Sequence, residues 1–169
     1  MLQIVSQDAP APVTLLDFGC GAGHLYEHIR NRGLDKFIYY SGLDLSEKFV
    51  ALCRSKHPGI RFYCLDILKT GAELPEFDYV VMNGVFTQKL TLSHAEMFTY
   101  FQELLKCVFA KARLGVAFNV MSKQVDWERE DLFHLSFDPL ASFLTQCVSR
   151  HFVIRHDYRL YEYAVYVYR

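Results

Sequence analysis

The stretch Asp17-Phe18-Gly19-Cys20-Gly21-Ala22-Gly23 constrains this chain more than any other. It sets glycines at alternate positions behind an acidic residue, directly after the apolar run Val13-Thr14-Leu15-Leu16. A run of that kind ending in glycines predicts a buried strand that turns sharply into a helix. Glycines at such a turn let the main chain approach a ligand that a β-carbon would keep away. The spacing discriminates further. A dinucleotide-binding turn has the form G-x-G-x-x-G, whereas this one is D-x-G-x-G-x-G.

Downstream of the turn, apolar strand-like runs alternate with helical patterns. Strands are predicted over 14–18, 37–43, 61–65, 77–82, 114–121, 152–158 and 161–168, and helices over 24–32, 46–56, 93–111 and 139–150. Such alternation argues for an α/β fold, a doubly wound parallel sheet with helices on both faces. The helix boundaries carry their own chemistry. Gly33 is placed to close the first helix and Pro58-Gly59 to stop the second. Ser93-His94-Ala95-Glu96 has the form of a capping box, and Asp138-Pro139 offers an N-cap followed by a first-turn proline. Residues 1–12, with Pro10 and Pro12, form a short lead-in. The last two runs are separated by only a few residues and predict an antiparallel hairpin. Its final run, Tyr161 to Tyr168, is apolar or aromatic at nearly every position and therefore belongs inside the sheet rather than at its edge.

At 169 residues the chain is expected to form one domain over 1–169, with 51% hydrophobic and 22% charged residues. A net charge of -1 with no basic run does not favour nucleic acid as a partner. The five cysteines (Cys20, Cys53, Cys64, Cys107, Cys147) form no C-x-x-C pair, which argues for free thiols in a reducing compartment. There is no leader pattern and no apolar run of membrane-spanning length, so a cytoplasmic protein, monomeric or homodimeric, is expected.

The glycine turn with its acidic lead and the closing antiparallel strand together resemble the class I S-adenosylmethionine-dependent methyltransferases, over residues 13 to 169. The resemblance implies a seven-stranded sheet in the order 3-2-1-4-5-7-6, with the last strand antiparallel. It also implies S-adenosylmethionine as cofactor, S-adenosylhomocysteine as product, and a small-molecule methyl acceptor. The matching positions are the turn (Gly19, Cys20, Gly21, Gly23) and Asp17, whose carboxylate can meet an ammonium group. Asp44, ending the second strand, suits a ribose diol. Asp66 suits an adenine amino group, Leu45 and Ile67 the walls around the base. Asn83, Gly84 and Phe86, after the fourth strand, fall near the sulfonium. Asn83-Gly84-Val85-Phe86 lacks the prolines of enzymes that methylate base amines or glutamine amides, and that substrate class loses support.

Met82-Asn83 and Phe118-Asn119 stand where metal-dependent relatives carry acidic ligands, so no catalytic metal is expected. His24-Leu25-Tyr26-Glu27-His28 has the H-x-x-E-H form of an inverted zinc peptidase. It opens straight from the glycine turn without an apparent third ligand, which favours a surface or loop-proximal histidine pair. His94, Asp126 and His134 are candidate general bases, and spacing does not choose among them. About a dozen residues precede the first strand, fewer than in most of the family. An open acceptor site, a lid made of 122–137, or a chain that is a piece of a longer protein would each account for that. Two expectations follow: an enzyme methylating a hydroxyl or amine of a small molecule, or a methyltransferase-like subunit that acts through a protein partner.

Overall fold

The run Val13-Thr14-Leu15-Leu16 lies in the middle of the sheet, where strands buried on both faces need continuous apolar sequence. A computed structural model describes residues 1–5, 12–70 and 73–169. Its strands are β1 (Val13–Phe18), β2 (Ile38–Asp44), β3 (Arg61–Cys64), β4 (Phe77–Met82), β5 (Ala112–Ser122), β6 (His134–Leu135), β7 (His151–Arg155) and β8 (Glu162–Tyr168). The helices are α1 (His24–Asn31), α2 (Glu47–Lys56), α3 (Ile67–Thr70), α4 (His94–Ala110) and α5 (Phe137–Cys147). The sheet runs β3-β2-β1-β4-β5-β8-β7, with the short β6 added beside the end of β5. Leaving β6 out of the count, this is the expected order 3-2-1-4-5-7-6. The β3-β2-β1-β4-β5 pairings are parallel, and β8 is antiparallel to both β5 and β7.

Alternation along the strands sorts side chains into two layers. Leu16, Val80, Val116 and Val165 face α4 and α5. Leu15, Tyr79, Val81 and Ala117 face α1 and α2. On the second face a 3-10 turn at Leu2–Ile4 also packs, with Ile4 only 1% exposed. The expected lead-in is therefore docked at its start, whereas 6–11, including Pro10, lie outside the described residues. The last strand is covered as its composition demands: Tyr163 to Val167 are all buried.

The capping box at the start of α4 forms in full. Ser93 Oγ accepts the Glu96 amide at 3.2 Å, and Glu96 Oε2 accepts the Ser93 amide at 2.8 Å. Gly33, at φ 65, follows α1 as anticipated. The start of α5 differs. Its N-cap is Ser136, not Asp138, so Phe137, Asp138 and Pro139 form the first turn. Proline is tolerated there because first-turn N–H groups have no intrahelical partner. Two further elements, α3 and β6, are too short to give any periodic signal.

Candidate functional site

All three glycines of the turn adopt left-handed backbone, with φ of 76, 51 and 83 at Gly19, Gly21 and Gly23. Their surroundings differ. A β-carbon on Gly19 would meet Val85 at 2.9 Å, and one on Gly23 would meet His57 at 3.2 Å. One on Gly21 would meet nothing within 4 Å. Gly19 and Gly23 therefore serve packing, while Gly21 presents bare backbone to open space above the carboxyl ends of β1 and β2. The turn is braced from behind. The Gly19 and Cys20 amides donate to Leu43 O, Cys53 Sγ contacts Gly21 O at 3.2 Å, and Lys56 Nζ donates to Ala22 O at 3.1 Å. Lys56 also pairs with Glu27 at 2.7 Å, which ties α2 to α1.

Asp44 closes β2 and faces the turn. Its Oδ2 accepts the Gly21 amide at 2.9 Å, and its Oδ1 accepts the Ser46 amide at 2.8 Å. The carboxylate thus fixes the glycine of the turn that faces open space, and each oxygen keeps a lone pair for a further donor.

Asp17 sits deeper than expected. It is 4% exposed, and its Oδ2 accepts the Tyr40 hydroxyl at 2.8 Å. Burial pushes its carboxyl up to about 7, with the nearby Asp44 charge adding to the shift and the Tyr40 bond opposing it. It supports the turn from beneath more than it lines it. The unfolded carboxyl ionises near 3.8 while the folded one holds its proton to about 7, so stability falls as pH rises across that window. Asp17→Asn is expected to be more stable than the parent at pH 8, by roughly 2–4 kcal/mol, with the gap closing below pH 4. Urea unfolding at several pH values reads this out.

The remaining predicted residues divide. Leu45 is 64% exposed beside Asp44, an apolar side chain without cover. Asp66 caps α3, accepting the Leu68 amide at 3.0 Å and pairing with Lys69 at 3.4 Å. Asn83 and Gly84 are exposed at the end of β4. Three side chains point elsewhere. Ile67 is 5% exposed, Cys20 is 7% exposed with its thiol pushed up by burial, and Phe86 is fully buried. Phe86 packs edge-on to Phe101 at 4.7 Å, so of the Phe86 expectation only the backbone stays near the cleft. A continuous apolar stretch after a strand does not reveal which of its side chains turns inward.

The candidate bases are engaged. His94 Nε2 donates to His134 O at 2.9 Å, and His134 is 3% exposed with Nδ1 2.6 Å from Ser122 O. Asp126 accepts the Tyr161 hydroxyl at 3.2 Å. These contacts belong to two loops joined over the carboxyl ends of β4 and β5. Lys89 and Leu90 amides donate to Asp131 O, Phe133 N donates to Thr87 O, and Gln88 bridges to Leu132. The segment 122–137, one of the sequence alternatives for a lid, is thus bonded through its backbone to the loop after β4. His24 and His28 are exposed, while Glu27 is taken by Lys56. Among the described residues no three His, Cys, Asp or Glu side chains converge as a metal-ligand set.

Sequence reasoning weighed Asn119 only as a residue standing where a metal ligand is absent, and passed over Glu162. Asn119, 2% exposed in β5, accepts the Gly84 amide on Oδ1 at 2.7 Å and donates from Nδ2 to Glu162 Oε2 at 2.6 Å. A lone amide within the apolar run Val116 to Val120 was the available signal.

A family model described as a methyltransferase domain matches residues 15–108. The chain is 29% identical over 167 residues to Rv1506c of Mycobacterium tuberculosis, which carries a provisional methyltransferase name, with 95% of each chain covered. It is similar in fold to magnesium protoporphyrin IX methyltransferase of Synechocystis, solved with bound S-adenosylmethionine, at TM-score 0.67 and 17% identity over 99% of this chain and 74% of that one. It is also similar to CalS10, an amino pentose methyltransferase of Micromonospora echinaspora, at TM-score 0.63 and 16% identity over 98% and 87%. The family match spans both the turn that leaves Gly21 bare and the strand end that carries Asp44, and the chain belongs to the class I methyltransferases, whose methyl donor is S-adenosylmethionine.

Proposed function

We propose that this chain transfers a methyl group from S-adenosylmethionine to a hydroxyl or amine of a small molecule by in-line displacement, acting as one domain over residues 1–169. The observation that carries the reading is the open space at Gly21, where an added β-carbon would meet no atom within 4 Å. A cradle that a β-carbon would fill fits an extended nucleoside, and Asp44 beneath it fits the ribose diol. Bound S-adenosylmethionine would supply a methyl group already activated by its sulfonium. The protein's part is then alignment and exclusion of water. Leu45 and the Asp66 carboxylate would flank the base, and Asn83-Gly84 would border the methionine end. The net charge of -1 supports a small acceptor over a nucleic acid.

Calorimetric titration with S-adenosylhomocysteine tests the reading. Wild-type protein is expected to bind, and Gly21→Val to lose about 100-fold in affinity, roughly 2.7 kcal/mol. The left-handed backbone should cost that variant about 1–3 kcal/mol of stability, leaving it folded. A folded wild-type protein that takes up neither S-adenosylhomocysteine nor S-adenosylmethionine would defeat the proposal.

A further inference from the structure

The loop after β5 and the residue that leads into β8 enclose a pocket of about 70 Å³. Met121, Val125 and Leu132 give it apolar lining, and Trp127 and Tyr161 give it two aromatic rings. Those rings are 69% and 61% exposed, and among the described residues neither pairs with another aromatic side chain. Two uncovered rings on one apolar pocket form a patch of the kind that marks a ligand site, unlike apolar residues scattered singly over a surface.

Its place in the fold ties it to the cofactor cradle. The Ser122 amide donates to Tyr161 O at 2.8 Å, which sets the pocket at the carboxyl end of β5. Met121 shares a strand face with Asn119 and lies two residues, about 7 Å, beyond it. Asn119 in turn holds the Gly84 amide, part of the backbone proposed to border the methionine end of the cofactor. The loops on either side are strained. Leu90 and Arg159, at φ 51 and 60, are the two non-glycine residues with left-handed backbone among the described residues. Leu90 is bonded to Asp131 in the loop after β5, and Arg159 stands two residues before Tyr161. Strain of this sort persists where surrounding structure enforces it, and it gathers at ligand clamps.

The charged and titratable side chains of the lining are already partnered. Arg129 clasps Asp131 through Nε at 2.9 Å and Nη2 at 2.6 Å. His134 is held between Ser122 O and the Arg129 amide. Asp126 is exposed to water and accepts the Tyr161 hydroxyl at 3.2 Å. An anion would find the one guanidinium of the lining neutralised, and a cation would gain only a weak, solvated contact with Asp126. An uncharged ring gives up little hydration and gains two aromatic faces.

We infer that this pocket seats an uncharged aromatic ring of the methyl acceptor, with Trp127 and Tyr161 as the residues that set specificity. The inference rests on the methyltransferase reading above and names the class of its acceptor. The ring is held beyond the end of β5, and the group to be methylated reaches back past Asn119 toward the cofactor.

Trp127 is the only tryptophan of the chain, so protein labelled with fluorotryptophan carries a single fluorine resonance, placed at this pocket. With S-adenosylhomocysteine present, para-cresol should shift that resonance saturably, and glucose or benzylammonium at the same concentration should not. Tyr161→Ser should weaken para-cresol about tenfold while leaving S-adenosylhomocysteine affinity and the thermal midpoint near wild type. A nuclear Overhauser effect between the para-cresol ring and the methylenes beside the sulfur of S-adenosylhomocysteine should set the two ligands side by side. No saturable shift with para-cresol, an equal response to glucose or benzylammonium, or an unchanged affinity in Tyr161→Ser overturns the inference. So does para-cresol binding without that contact in protein saturated with S-adenosylhomocysteine, which would make the pocket a site apart from methyl transfer. If the protein takes up para-cresol but neither S-adenosylhomocysteine nor S-adenosylmethionine, it is the methyltransferase reading that fails.

Discussion

Asp44→Ala should weaken S-adenosylhomocysteine binding by roughly 2–4 kcal/mol, a loss of about 30- to 1,000-fold. Two effects combine. The variant removes the acceptor proposed for the ribose hydroxyls, and it releases the Gly21 amide that Oδ2 holds at 2.9 Å. A freed Gly21 samples more backbone conformations than the one the cofactor would need, so part of the loss is entropic. Asp44→Asn should fall between parent and alanine variant, because its one amide oxygen can satisfy Gly21 or Ser46 but not both. Calorimetry on the three proteins orders them. Equal affinities would remove Asp44 from the site and leave it as a link between β2 and α2.

Phe101→Ala should lower stability by about 3–5 kcal/mol, the range for deleting a buried aromatic ring. Phe101 is fully buried and touches five other phenylalanines, with ring centroids 4.7 Å away at Phe86, 5.6 Å at Phe118, 5.8 Å at Phe143, 6.0 Å at Phe98 and 6.1 Å at Phe133. For a chain of this size the thermal midpoint should drop by about 10 °C or more. A fall of only a degree or two would show that the cluster repacks. Phe86 and Phe133 belong to the segments after β4 and β5, so the variant should also loosen the packing beneath those loops.

What could be seen in the sequence was whatever repeats or punctuates. The strands showed because each is an apolar run bounded by turn residues. The capping box at Ser93 and the stop at Gly33 showed because their chemistry is local. The interior position of β8 followed from its unbroken apolar run. The site was half legible. Gly21 and Asp44, both picked out in the sequence, lie side by side because β1 and β2 pair in parallel, whereas the bond between them had no local signal. The direction of a side chain in an irregular segment has no sequence signal, and Phe86 was misplaced for that reason. Glu162 has no local signal, because only strand pairing sets it across from Met121 and bonds it to Asn119.

The two loops beyond β4 and β5 are bound to each other through main-chain amides and carbonyls at Thr87, Lys89, Leu90, Asp131 and Phe133. Backbone contacts of this sort do not depend on which side chains decorate them. Side chains at 88–92 and 123–132 can therefore change while the frame that carries them keeps its shape.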